Sequence, residues 1–168
     1  MFCEDVVALA KTVLAKAGEK GVMVATAESC TGGLVAAALT EIAGSSSVVD
    51  RGFVTYSNAA KMQMLAVPEQ ILAEYGAVSE PTARAMAMGA VAHSDASASV
   101  SITGIAGPGG GSDEKPVGLV HFAAACPDGQ VLHVERRFGD LGREKVRQAA
   151  LEQALSLLAQ ALDYRTAQ

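Results

Sequence analysis

Two strand-length runs that break into glycine-rich turns constrain this chain most. Residues 22–26 (Val-Met-Val-Ala-Thr) lead into Ala27-Glu28-Ser29-Cys30-Thr31-Gly32-Gly33 and then an apolar helix over 34–42. Residues 97–103 read as a second strand, opening into a loop with glycines at 104, 107, 109, 110 and 111 around Pro108. The first run has no polar alternation, which predicts a strand buried on both faces. Helices fill the intervals. One spans 5–20, with Val6, Leu9, Ala10, Val13, Leu14 and Ala17 at helical spacing. Another follows a Ser57-Asn58 cap and carries Lys61, Met62 and Leu65. Pro68 opens a short helix, and Ser79-Glu80-Pro81 starts one with the stripe Ala83, Met86, Ala87, Ala90 and Val91. Residues 48–56 are β-rich, 117–125 and 131–138 form a hairpin across Pro127-Asp128-Gly129, and 141–162 close the chain as a helix. This order predicts one α/β domain over residues 1–168, a sandwich on a mixed, mostly parallel sheet with an antiparallel member.

Composition narrows the function. With 13 Lys+Arg against 18 Asp+Glu the net charge is −5, which argues against a basic nucleic-acid surface. No run approaches the roughly 18 apolar residues of a membrane span. The start, Met1-Phe2-Cys3-Glu4-Asp5, lacks the pattern of a signal peptide. Cys3, Cys30 and Cys126 read as free thiols of a reducing cytosol, and His93, His121 and His133 show no metal-site spacing. No metal and no cofactor is expected, and the location expected is cytoplasmic. The chain is rich in small residues, with 32 alanines and 17 glycines. Alanine-rich, weakly charged helices fit a homo-oligomer, although core packing produces the same pattern.

Three segments look chemical. Ser29 lies where a strand turns into a helix, a place where backbone N–H groups and the helix dipole favour an oxyanion or phosphate. Its plainer reading is that Ser29 or Thr31 caps the helix, and Cys30 is a rival nucleophile unless it is a buried structural thiol. Lys61 falls in the first turn of its helix if Asn58 caps it, where the dipole favours the neutral amine that a base requires. The alternative is a solvated surface lysine. Tyr56 precedes Lys61 by five residues, so the Tyr-x-x-x-Lys spacing of short-chain dehydrogenases fails. The glycine loop is neither a Walker loop nor GxGxxG, since residue 112 is Ser. Five glycines are costly to order without a function, which favours a phosphate or planar ligand there. Arg143, at the entrance of the last helix, reads as an anion contact or a plain surface residue.

Together, Ala27-Glu28-Ser29-Cys30-Thr31-Gly32-Gly33-Leu34, Val54-Thr55-Tyr56-Ser57-Asn58 with Lys61, Gly76-Ala77-Val78-Ser79, and residues 103–112 with Lys115-Pro116-Val117-Gly118 resemble the CinA C-terminal domain family. Its members include the PncC-type nicotinamide mononucleotide deamidases. The resemblance covers nearly the whole chain and implies a three-layer α/β/α sandwich. It further implies metal-independent hydrolysis of the carboxamide of nicotinamide mononucleotide to nicotinate mononucleotide and ammonia, in pyridine nucleotide recycling. Ser29 is implied as nucleophile, Lys61 as its base and Tyr56 beside them. Cys30, Thr31, Gly32, Gly33, Asn58, Thr103, Gly104, Gly107, Gly109 and Arg143 are implied in substrate binding. Larger members carry a further N-terminal domain, so this chain is expected to be the stand-alone form. Ala59 and Asp113 depart from the commoner acidic residue and Glu without touching that chemistry. The rival expectation is a catalytically silent nucleotide-binding or regulatory module.

Overall fold

A computed structural model describes residues 1–164. In chain order the elements are α1 (Glu4–Lys20), β1 (Val24–Glu28), α2 (Leu34–Thr40), β2 (Val49–Val54), α3 (Asn58–Leu65) and α4 (Glu69–Tyr75). Then come α5 (Glu80–Ala92), β3 (Ala98–Gly104), β4 (Leu119–Ala125), β5 (Val131–Arg137) and α6 (Arg143–Asp163). The sheet order is β2-β1-β3-β4-β5. β1 pairs in parallel with β2 and β3, while β4 is antiparallel to both β3 and β5. β4 alone runs against the other four strands, as the late hairpin leads one to expect. Counted by ladders, however, parallel and antiparallel pairing are equal.

Both sheet faces are covered. On one, Val24, Val100, Ile102, Val120 and Phe122 pack with Val13 of α1, Leu39 of α2 and Leu155 and Leu158 of α6. On the other, Ala25, Ala27 and Phe53 pack with Leu65 of α3, Leu72 of α4 and Met86 of α5. The fold is therefore a three-layer α/β/α sandwich. Element ends differ from the sequence reading by a few residues. The largest shift is at β1, which starts at Val24 and runs on through Ala27 and Glu28, because Glu28 has a buried partner set described below.

β3 explains part of the alanine excess. Its sequence alternates Ser99-Val100-Ser101-Ile102-Thr103, a pattern that ordinarily puts the polar side in water. Here both sides are buried. Ser99 Oγ donates to Ala87 O at 2.7 Å, Ser101 Oγ to Ala83 O at 2.6 Å and Thr103 Oγ1 to Ala77 O at 2.7 Å. The first two acceptors lie in α5 and the third in the loop before it. Hydroxyls can reach helix carbonyls only when the helix sits close to the strand, so the facing helix positions are alanines. The apolar stripe expected for α5 is the side that meets this seam.

α5 also receives α3. A Cβ on Gly89 would lie 2.1 Å from the carbonyl oxygen of Leu65, a backbone atom that cannot move aside alone. This contact seats the C-terminal end of the helix that carries Lys61. Gly89→Ala is expected to destabilise the protein by about 1–3 kcal/mol, measured by urea unfolding. Unchanged stability would show that α3 relaxes away from α5 freely.

Candidate active site

Ser29 follows β1 directly, and its N–H donates to Ile102 O at 2.9 Å, extending the β1–β3 ladder by one bond. α3 starts beside it. Ser57, not Asn58, caps that helix: Ser57 Oγ accepts from Ala60 N at 3.0 Å, and Asn58 is an exposed first helical residue. A hydroxyl one position earlier reaches the amide three residues on, so Lys61 sits one position deeper in the helix than an Asn58 cap would place it. Lys61 is not a solvated surface residue either. It is 1% exposed, with Nζ 2.9 Å from Ser29 Oγ and 2.9 Å from Thr55 O. Burial pushes its pKa below the usual 10.5, so loss of water does what the sequence reading assigned to the dipole. Nζ donates to Thr55 O and to Ser29 Oγ; in its neutral form the same amine has a lone pair free to accept the Ser29 O–H.

Neither Ser29 nor Thr31 caps α2. Its N-cap is Gly33, which has no side-chain bond. The buried carboxylate of Glu28 does the work instead, accepting from Gly33 N (3.0 Å), Val35 N (3.1 Å), Ala36 N (2.9 Å) and Thr26 Oγ1 (3.2 Å). A carboxylate at a helix N-terminus satisfies orphan donors and complements the dipole. Gly32 N donates to Ser29 O at 3.0 Å. The amides of Gly32 and Gly33 are thus committed within the loop. The Thr31 amide donates to no protein atom among the described residues, whereas the Cys30 amide lies against the thiol of its own residue. The hydroxyls of Thr31 and Thr55 are buried without a hydrogen-bond partner among the described residues. Burial pushes the Cys30 thiol up to about 12, so it is protonated and a poor nucleophile at neutral pH.

Ser29 and Cys30 open onto a shallow cleft of about 230 Å³, walled by Tyr56, the loop over 104–110 and Arg143. Arg143 is the first residue of α6. Its Nη1 donates to Gly107 O at 3.0 Å and its Nη2 to Tyr56 Oη at 2.9 Å, joining two walls of the cleft. Gly107 has φ +81°, a conformation that only glycine adopts without strain. Gly104 and Gly109 line the same cleft, but their reasons differ. A Cβ on Gly104 would strike Val120 at 2.7 Å, whereas nothing lies within 4 Å of one on Gly109. Thr103 is 1% exposed with its hydroxyl donating to Ala77 O, so it lies beneath the cleft. Asn58, Thr31, Gly32 and Gly33 do not line it.

Three residues of this site escape the sequence reading. Glu28 had a signal, an acid immediately before a Gly-Gly helix start. Arg147 had another: it lies four residues after Arg143 on a predicted helix, hence on the same face. Thr55, whose carbonyl holds Lys61, had none. Among the described residues no group of three or more His, Cys, Asp and Glu side chains has a metal-holding arrangement, and no helix is long and apolar enough to cross a membrane.

The lowered Lys61 pKa has a consequence for stability. Between that value and 10.5 the unfolded chain binds the proton that the folded chain has lost, so the Lys61 contribution grows more favourable as pH rises through this window. Below the window the cost of burying the amine is complete. The stability of the wild type relative to Lys61→Met is expected to climb from neutral pH toward 10.5 in urea unfolding at fixed ionic strength. A difference that stays flat across this range would mean that the buried amine is charged.

The sequence profile of the CinA C-terminal domain matches residues 6–162. The nicotinamide-nucleotide amidohydrolase PncC of Escherichia coli K12 is 54% identical over 142 residues, 84% of this chain and 85% of that protein. The protein of the same name from Enterobacter agglomerans is 58% identical over 134 residues, 79% of this chain and 80% of that protein. A CinA-like protein of Anaeromyxobacter dehalogenans is 51% identical over 96% of this chain, which spans only 39% of that longer relative. The crystal structure of the competence/damage inducible protein CihA from Agrobacterium tumefaciens superposes with a TM-score of 0.94 at 55% identity, covering 98% of this chain and 99% of that one. With a fold and a sequence match that both run across nearly the whole of its length, this chain belongs to the CinA C-terminal domain family.

Proposed function

We propose that this chain hydrolyses the carboxamide of nicotinamide mononucleotide to nicotinate mononucleotide and ammonia, with Ser29 as nucleophile and Lys61 as its base. The observation that carries this reading is the 2.9 Å approach of Lys61 Nζ to Ser29 Oγ at a lysine 1% exposed. The substrate is supported by the nicotinamide-nucleotide amidohydrolase relatives, 54% and 58% identical.

An amide is a weak electrophile whose leaving group needs a proton. A hydrolase must therefore activate the nucleophile, hold the oxyanion and protonate the amine. Neutral Lys61 takes the Ser29 proton as Oγ attacks the carboxamide carbon. The Thr31 amide and hydroxyl, neither of which has a hydrogen-bond partner among the described residues, are the donors nearest in sequence for the oxyanion. When the tetrahedral species collapses, the C–N bond breaks and Lys61 returns its proton to the departing ammonia. Water then attacks the Ser29 ester, giving its proton to Lys61. The C–Oγ bond breaks, Ser29 regains a proton, and the carboxylic acid ionises. Tyr56, 62% exposed, offers a ring face to the cationic pyridinium at the cleft rim. Arg143 and the amides of Gly107, Gly109 and Gly110, which donate to no protein atom among the described residues, suit the phosphate. A cytoplasmic location and a homo-oligomeric state belong to this proposal.

Purified protein is expected to release ammonia from nicotinamide mononucleotide in a coupled assay, with or without chelator. Ser29→Ala should lower kcat by at least about 10⁴-fold and Lys61→Met by about 10²–10⁴-fold, while Cys30→Ala keeps most activity. A dead Cys30→Ala beside an active Ser29→Ala would overturn the assignment in favour of the thiol. Ligand-dependent thermal stabilisation without ammonia release would identify a silent nucleotide-binding module.

The rate should also depend on pH. Only the deprotonated amine accepts the Ser29 proton, so kcat is expected to rise with pH to a plateau whose midpoint lies below 10.5. A profile flat from pH 6 upward would remove Lys61 from the role of base.

A further inference from the structure

Ser29, Cys30, Thr31 and Gly32 form a turn closed by the Gly32 N–H on Ser29 O at 3.0 Å. Its two central carbonyls converge on one side chain. Arg147 Nε donates to Cys30 O at 3.1 Å and Arg147 Nη2 to Thr31 O at 3.0 Å. The guanidinium lies against Gly32, where an added Cβ would stand 3.7 Å from Nη2. Its alkyl stem shares an apolar groove with Phe2, Val6, Leu34 and Leu151. Arg147 makes no ion pair with a carboxylate among the described residues, and both hydrogen bonds it makes there go to this turn.

That geometry decides where the turn's amides face. In a trans peptide the N–H points opposite to the C=O of the same plane. Holding Cys30 O toward α6 therefore directs the Thr31 N–H away from α6. This amide donates to no protein atom among the described residues. A planar guanidinium holds two carbonyls at a set spacing, and an ammonium on a flexible stem does not. Arg143, one turn earlier on α6, performs the parallel task for Gly107 O and Tyr56 Oη.

We propose that Arg147 is a positioning residue: through Cys30 O it orients the Thr31 amide beside Ser29 so that this amide receives the developing oxyanion, and through Thr31 O it steadies the same turn. The inference rests on the proposed Ser29 reaction and adds a residue that does not touch the substrate. Loss of the clamp lets the turn swing, which lowers transition-state stabilisation and leaves ground-state binding to the other walls.

The test uses Arg147→Ala and Arg147→Lys with two independent readouts. In ammonia release, Arg147→Ala is expected to lose about 100-fold in kcat with KM little changed. Guanidinium ion, well below denaturing concentration, should restore part of kcat, while methylammonium does not. Arg147→Lys should remain impaired despite its charge. In hydrogen exchange, the amides of Gly32, Gly33 and Leu34 should exchange about tenfold faster, with those of β3 unchanged. Wild-type kcat with wild-type exchange would overturn the proposal. A change in KM alone, which marks a substrate contact, would do so too, as would equal rescue by both cations, which marks a charge effect. If wild-type protein releases no ammonia, the proposed reaction fails, and exchange alone then decides whether Arg147 holds the turn. If Arg147→Ala does not fold, Arg147→Lys carries both readouts.

Discussion

A lysine amine held out of water beside a serine hydroxyl sets requirements that much of this fold meets. A charged ammonium in that place would cost several kcal/mol without a counter-ion, and the groups around Nζ are a hydroxyl and a carbonyl. Burial favours the neutral form of the amine, which suits both. The parallel pairing of β1 and β2 makes the arrangement possible. Glu28 stands opposite Val54, and Thr55 N donates to Glu28 O at 2.8 Å, so the residues just beyond each strand, Ser29 and Thr55, emerge side by side. Lys61 bridges them from a helix that begins three residues after Thr55. The glycine loop leaves the C-terminal end of β3, the next strand in the sheet. The site thus gathers at the carboxyl ends of adjacent parallel strands, where open α/β sheets hold ligands.

Small residues serve that site indirectly. The hydroxyl seam from β3 to α5 needs close approach, which Ala83 and Ala87 permit, and Gly89 lets the end of α3 rest on α5. Larger side chains at these positions would lift the two helices from the sheet and carry Lys61 away from Ser29. Part of the alanine excess is therefore a condition for placing an amine, through two packing layers, at hydrogen-bond distance from a serine.

The sequence was informative where local rules apply. Apolar periodicity located every helix and strand to within a few residues, and the hairpin across residues 127–129 revealed the antiparallel strand. It was misleading where a side chain's partner lies far along the chain. Lys61 looked like a first-turn residue opposed by a dipole, whereas burial beneath packed helices depresses its pKa. The alternation of Ser99, Ser101 and Thr103 in β3 does not show locally that helix and loop carbonyls receive those hydroxyls. Gly32 and Gly33 looked like ligand-facing amides until Glu28 and Ser29 O claimed their protons. Ser29, Lys61 and Arg143 drew notice by their positions at element ends, and the family resemblance implied roles for them and for Tyr56. It implied no role for Glu28, Thr55 or Arg147, which hold that set in place.

An acidic protein that is to bind an anionic nucleotide must make its positive potential locally, and α6 is where this chain does so. Its first turns carry Arg143 and Arg147 one turn apart, facing the glycine loop, Tyr56 and the Ser29 turn. Cations at a helix N-terminus oppose the dipole at a cost of a few tenths of a kcal/mol each, so helix stability alone does not account for them. Each instead donates to atoms of another segment, and those charge-assisted bonds outweigh the dipole term. The same guanidinium groups that tie three loops together bring positive charge to the site of a protein whose net charge is −5. Assembly of the site and its local positive charge are thus one structural decision, made at the entrance of the last helix.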